Sequence, residues 1–248
     1  MLTDEWLSVF VPVGVLKQPD AWQPLGAGVL FHTGSCLWLL TADHVIHDAG
    51  GEHVAVLVNH HKDGMVVVDL TEVHQQHDVQ WVRNPSLDIA ASLMPSSPDW
   101  NIKAATEDFC ISLKQILPSM PCYTVGCPYG VATLDQKRAT PLVLDGVVSG
   151  VNPDSRLIYI SAPTFPGNSG GPVLVIRVPY DPGGSLVVGR PTVLLAGLVR
   201  EMALVQANGS SHAAPALHLG IGVSIEVALE LLKSEVAVAQ MEKLGLRA

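Results

Sequence analysis

Basic residues are scarce in this sequence: 14 Lys and Arg stand against 23 Asp and Glu, a net charge of −9 with histidine neutral. Nucleic acid and anionic membranes reward clustered cations, so neither is expected as a partner. Charged residues of both signs make up only 15% of the chain against 48% apolar, which excludes a chain disordered as a whole. Long apolar runs are missing too, and no uncharged stretch reaches the length needed to cross a bilayer. The opening MLTDEWLSVFVPVG has no basic lead-in and carries Asp4 and Glu5, so no secretory signal is expected. Cysteines number four, Cys36, Cys110, Cys122 and Cys127, at spacings that allow a disulfide framework but do not support one. A reduced, cytoplasmic compartment is the simpler reading. Cys122 and Cys127 would supply two corners of a zinc site, but no second pair completes it, and neither metal nor cofactor is expected.

What the chain has in quantity is 22 glycines and 18 prolines between short Val, Leu and Ile runs. At 248 residues it suits one large domain or two small ones. VLVNH (56–60), MVVVDL (65–70) and VQWV (79–82) read as strands, and GVLFH and CLWLL read as a hairpin turning at Thr33-Gly34-Ser35. MPSSPDWNIKAATEDF, after Asp88, reads as a crossover between two halves. Beyond it come YTVG, PLVLDGVVSGV, RLIYISA, PVLVIRV, TVLLAGLV and GIGVSI, so many short strands that a sandwich or barrel is expected. Only the end reads as helix. Apolar residues fall at 225, 229, 232, 236 and 239, with Glu226 and Glu230 near the start and Lys243 and Arg247 near the end. That stripe is expected to dock on the barrel surface.

One stretch is unusual in another way. PTFPGNSGGPVLV (163–175) sets Gly167, Gly170 and Gly171 around a single serine, Ser169, just before a β-branched run. Glycines allow a turn that aims successive backbone N–H groups into one small space, where a developing oxyanion is stabilised. A serine hydroxyl is a weak nucleophile without a base and a group to orient that base. LLTADHVI offers His44 and PSLDIAASLM offers Asp88. Taken singly, these are a turn serine, a buried histidine and a strand-end cap. Taken together, in the order His, Asp, Ser, they are candidates for a nucleophilic triad. His60-His61 and His74 to Asp78 have metal-binding residue types without a ligand spacing, and read as solvated loop residues.

LLTADHV, LDIA and PGNSGGPV resemble the signatures of trypsin-like, chymotrypsin-fold serine peptidases, in the flavour of the bacterial HtrA and glutamyl-endopeptidase branch. VGCPYG, DGVVSGV, AGLVREM and LGIGVSIEVA resemble further segments of that family, and the likeness spans roughly residues 24 to 232. It implies an all-β fold of two six-stranded antiparallel barrels with a C-terminal helix. The first barrel would cover 1–100 with His44 and Asp88, the second 101–225 with Ser169, and the helix 226–248. The resemblance makes His44 the general base, Asp88 its orienting partner and Ser169 the nucleophile of a serine endopeptidase. The oxyanion hole would be the N–H groups of Gly167 and Ser169, with Asn168 shaping the turn. The substrate would be a protein or peptide.

Departures from the pattern matter. Asp43 and Val45 flank the histidine where relatives often carry a small residue and a cysteine, and the chain has no IVGG-like start. Activation by a freed N-terminus is therefore not expected, and because HtrA relatives usually continue into a PDZ domain that does not follow the helix here, oligomeric regulation of their type is in doubt. The specificity pocket implied by the resemblance is walled by Ala162, Pro163 and Thr164, by Leu198, Val199 and Arg200, and by Gly222, Val223 and Ser224. No carboxylate stands in the first or third wall, which disfavours Lys or Arg at P1. A small or apolar P1 residue is the preferred reading. The competing one is an acidic P1 held by Thr164 with His218 or Arg200. Glu201 and Arg200 are either substrate contacts or a solvated strand end. A second class of function also stands: a trypsin fold used as a binding or latent module, switched on by an activating protein partner.

Overall fold

The computed structural model describes residues 3–18, 21–62, 64–133, 138–178, 189–202 and 219–246. A short helix α1 (Asp4–Leu7) leads into β1 (Phe10–Gln18), β2 (Ala21–Thr33) and β3 (Cys36–Thr41). The β2–β3 hairpin turns at Gly34, whose φ of 54° is the left-handed conformation such two-residue loops need. All six residues of β3 are buried, as a strand covered on both faces requires. Helix α2 (Asp43–Asp48) follows directly, then β4 (His53–His60), β5 (Gly64–Asp69), helix α3 (Leu70–His77), β6 (Val82–Asn84) and β7 (Ile89–Leu93). These strands form one seven-stranded antiparallel sheet in the order β5-β4-β1-β2-β3-β7-β6.

The second half contributes β8 (Pro121–Gly126), β9 (Leu142–Asn152), β10 (Leu157–Ile160), β11 (Pro172–Arg177), β12 (Thr192–Met202) and β13 (Gly220–Ser224). They close into a six-stranded barrel in the order β10-β13-β12-β11-β8-β9. Every strand expected in this half is present. The stretch 94–109 joins the halves, held by isolated bridges from Phe31 to Ala105 and from His60 to Trp100.

The expectation of two closed barrels is corrected here, because the first half is an open sheet. Strand β5 runs straight into α3, and the chain returns with only the three residues of β6, which pair with β7 alone. Edge strands β5 and β6 therefore do not meet. Only Val82 of the expected strand VQWV belongs to β6. The N–H of Gln80 donates instead to Gln240 Oε1 at 2.8 Å.

The C-terminal segment is also corrected, from one helix to two, α4 (Ile225–Leu232) and α5 (Glu235–Lys243). Ser224 caps the first by accepting the N–H of Glu226, and Ser234 restarts the second by accepting that of Ala237. The break changes the phase of the apolar stripe. Ala237 and Met241 are buried and Val236 is exposed. The pair docks at the junction of sheet and barrel rather than on the barrel alone. Ile225, Ala228, Leu232 and Met241 share one core with Phe31, Trp38 and Ile89 of the sheet and Leu174 and Leu198 of the barrel. Arg247 lies outside the described residues.

Candidate active site

His44 is the second residue of α2, placed where the buried strand β3 ends. Asp43 before it is buried and held by a bidentate ion pair, Arg83 Nε to Oδ1 at 2.5 Å and Nη2 to Oδ2 at 2.9 Å. The acidic residue also faces the positive end of the helix, so two effects fix the start of α2. Asp88 closes the turn between β6 and β7 in a left-handed conformation, φ 57°, which an aspartate tolerates better than most residues. Its carboxylate accepts the backbone N–H of His44 at 2.9 Å and lies 2.8 Å from His44 Nδ1. With Nδ1–H donating to the carboxylate, the lone pair of a neutral ring sits on Nε2. The hydrogen bond from Asp88 raises the His44 pKa above its usual value; burial opposes it, and the charges of Asp88, Asp48 and Glu201 reinforce it.

Ser169 sits in the turn the glycines make. The N–H of Asn168 donates to Phe165 O and that of Gly171 to Asn168 O, both at 2.9 Å, while Gly167 and Gly170 take φ of 98° and 84°. Among the described residues no acceptor engages the N–H groups of Gly167 or Ser169. The Ser169 hydroxyl donates to Arg200 O at 3.2 Å and makes no hydrogen bond to His44. Asn168 is fully buried against Gly126, with both amide atoms lacking partners among the described residues.

His44, Asp88 and Ser169 all line one open cleft of about 650 Å³. Thr164, Gly167, Val199 and Arg200 line it too; Pro163, Asn168 and Gly222 are not in its wall. The Arg200 guanidinium is turned toward two carboxylates, with Nε 3.7 Å from Asp88 Oδ2 and 3.3 Å from Glu201 Oε1. His218 lies outside the described residues. Asp48, His47, Phe165 and Leu25 line the cleft without having been singled out in the sequence. A signal for Asp48 was there: it follows His44 by one helical turn, so a helix starting at Asp43 brings it to the same face.

Of the histidines expected in loops, His61 is in an exposed turn, His60 ends β4, and His74 and His77 are placed on a helix. His74 is on α3, packed edge-on against Trp81, with Nε2 2.7 Å from Ser92 Oγ. Among the described residues no group of three or more His, Cys, Asp or Glu is arranged to hold a metal ion.

The fold recurs in known proteins. Among solved structures, the HtrA-type protease AlgW, in a serine-to-alanine form with a tripeptide, superimposes with a TM-score of 0.57 at 20% identity. That match covers 96% of this chain and 63% of the AlgW chain, so this chain spans under two thirds of its length. No curated protein matches the sequence significantly. The sequence model of the trypsin-like peptidase domain matches residues 26–176, a span that begins in β2, carries His44, Asp88 and Ser169, and ends in β11. With more than half of its length matched, the chain belongs to the trypsin-like peptidase domain family.

Proposed function

We propose that this chain is a serine endopeptidase that cleaves protein or peptide substrates through an acyl-enzyme. The reading is carried by one observation: Asp88 fixes His44 with Nε2 as the basic nitrogen, in the cleft that also holds Ser169 and the unengaged N–H groups of Gly167 and Ser169. In the first step the Ser169 hydroxyl leaves Arg200 O and gives its proton to His44 Nε2 as Oγ bonds to the acyl carbon. The two amides receive the charge that appears on the carbonyl oxygen, and Asp88 stabilises the imidazolium. The proton then passes to the leaving amine, and water repeats the sequence in reverse. The tripeptide in the AlgW structure supports a peptide as the bound species.

For P1 we favour a small or apolar side chain. Val199 and the glycine turn line the cleft, and the Arg200 side chain is occupied by Asp88 and Glu201 rather than offered to an acidic residue. We read the two halves, divided near residue 100, and the terminal helices from 226 as one peptidase unit. A reduced, cytoplasmic setting belongs to the same reading, in which Cys36, Cys110, Cys122 and Cys127 are free thiols.

The missing His44–Ser169 hydrogen bond favours a second reading, a latent module that a protein partner activates by drawing the hydroxyl off Arg200 O. A fluorophosphonate probe decides between them. Labelling of the wild-type chain, absent in Ser169→Ala and His44→Ala, is the result expected of the peptidase. A folded wild-type chain that takes no label, alone and with a short peptide present, would leave only the latent module.

A further inference from the structure

Two exposed aromatic rings stand together at the edge of the active cleft. Tyr129 is 71% exposed and Phe165 40%, and their ring centroids lie 6.0 Å apart at a tilt of 41°. We infer that Tyr129 and Phe165 form a ledge that seats a large apolar side chain of the peptide substrate, in the first two positions beyond the scissile bond. The inference deepens the peptidase reading and rests on it for the side of the cleft that the leaving segment takes. The first argument is cost. Paired aromatic surface left in water is unfavourable, and contiguous exposed apolar surface marks a place of contact. Tyr129 also has φ 52°, a left-handed conformation that a bulky residue adopts only at a cost. Burial does not repay it, because the ring is out in solvent. The backbone is nonetheless held firmly, with the Tyr129 N–H on Pro166 O and the Gly130 N–H on Cys127 O, both at 2.8 Å. Gly167 fits against the same segment: a Cβ there would press on Cys127 O and lie 3.1 Å from Tyr129 N. The ledge is thus built as one piece with the turn that carries the candidate oxyanion donors.

The second argument is position. Phe165 and Pro166 line the cleft with Ser169, and Leu25 of β2 lines it as well. Pro24, next to Leu25, reaches the segment that carries Tyr129, since a Cβ on Gly130 would lie 2.7 Å from Pro24 Cγ. The side of the cleft follows from His44. Its Nε2 returns the proton to the leaving amine, so the leaving segment departs over α2. Helix α2 packs on β2 beside Leu25, where a Cβ on Gly26 would lie 2.7 Å from Val45 Cγ2. The walls expected for P1, at Leu198 to Arg200 and Gly222 to Ser224, stand on β12 and β13 instead. Pro24, Leu25, Tyr129, Phe165 and Pro166 carry no charge, so nothing in this set would repay the desolvation of a charged side chain with an ion pair. An apolar side chain, an aromatic one above all, gains burial and ring contact there.

The test is peptide binding to the intact Ser169→Ala chain, which holds peptides without cleaving them. Short dye-labelled peptides carry Ala at P1 and Phe, Leu, Lys or Gly at each of the two following positions in turn, and fluorescence anisotropy reads their Kd. Phe or Leu at one of these positions should bind about tenfold tighter than Gly. Tyr129→Ala in the same background should bring that ratio to within about twofold. If this variant does not fold, Tyr129→Asn, whose side chain tolerates the left-handed φ, carries the same expectation. Four results would overturn the ledge: no saturable binding, equal binding of Phe and Gly peptides, a ratio that survives in the Tyr129 variant, or tighter binding of Lys than of Phe. The fluorophosphonate probe has fluoride in place of a leaving peptide, so labelling of the wild-type chain tests the peptidase reading alone. Label without a Phe preference removes the ledge and keeps the peptidase. A Phe preference lost in the Tyr129 variant, without label, removes the peptidase and keeps the ledge as a peptide-binding feature.

Discussion

The pKa of His44 decides when the candidate base is available. Its imidazole must be neutral to take a proton from Ser169, and the Asp88 hydrogen bond keeps it protonated to a higher pH than an ordinary histidine. Probe labelling should therefore rise through a midpoint above the usual histidine range. Glu201 adds to that shift by its charge, and it also competes with Asp88 for the Arg200 guanidinium. Glu201→Gln removes the first effect and frees Arg200 for Asp88, so both consequences lower the His44 pKa. The labelling midpoint of this variant should move to lower pH with the plateau rate retained. A profile that stays put, or moves up, would refute the electrostatic assignment. At this scale the sequence was legible where chemistry demands particular residue types in a set order, as with His44, Asp88 and Ser169. It was silent on Asp43–Arg83 and Arg200–Asp88, because those pairs depend on which way a side chain turns at the end of a strand.

Helix α3 follows edge strand β5 where the first sheet stays open, and it docks through the buried Leu70, through Thr71 Oγ1 on the Val54 N–H and through His74. Ser92 Oγ gives its proton to Leu93 O at 3.0 Å, so it accepts from His74 Nε2–H. Burial lowers the His74 pKa, with the charge of Asp69 acting weakly against it. The linkage follows. As pH falls below the unfolded value of about 6.5, the unfolded chain takes up a proton that the folded chain still refuses. Stability contributed by neutral His74 is thus full above that pH and lost toward the lower folded pKa. His74→Phe keeps the ring against Trp81 but leaves Ser92 without its donor, at a cost of about 1 kcal/mol near pH 7.5. Urea unfolding should show this difference shrinking toward pH 5; a difference that grows on acidification would contradict the hydrogen-bonded, neutral His74. Helix α3 escaped the sequence reading because LTEVHQQH is mostly polar. The usable signal was Asp69 three residues before Glu72, a capping pattern that the structure realises with the Glu72 N–H on Asp69 Oδ1 at 3.0 Å. Strand β1 was missed for a different reason, since Pro12 and Gly14 interrupt its alternation. The barrel strands were legible because their β-branched runs are long and bounded by turns.

In the whole molecule, the candidate nucleophile turn is the seam between sheet and barrel. The N–H of Ala27 donates to Ser169 O at 2.8 Å, and Ala27 O accepts the Thr41 hydroxyl at 2.7 Å. The same turn is tied to the barrel by the N–H of Gly170 on Val199 O at 2.7 Å. Ser169 is therefore positioned by backbone hydrogen bonds to both halves at once, while His44 and Asp88 stand on the sheet half and receive from the barrel only the Arg200 guanidinium near Asp88 Oδ2. Gly170 is where this seam has least tolerance. Its φ is 84°, and a Cβ there would press on Ala27 O and Thr41 Oγ1 on one side and lie 2.9 Å from Ala42 N. Gly51 offers the matching control, with φ of 87° and nothing within 4 Å of a Cβ. Gly51→Ala should cost only the left-handed conformation, about 1 kcal/mol, and label like wild type. Gly170→Ala pays the same conformational term and must also push the sheet away from the turn that holds Ser169. It should unfold at clearly lower urea than Gly51→Ala and lose most of its probe labelling. Equal midpoints and equal labelling in the two variants would mean that Ser169 is positioned by the barrel alone.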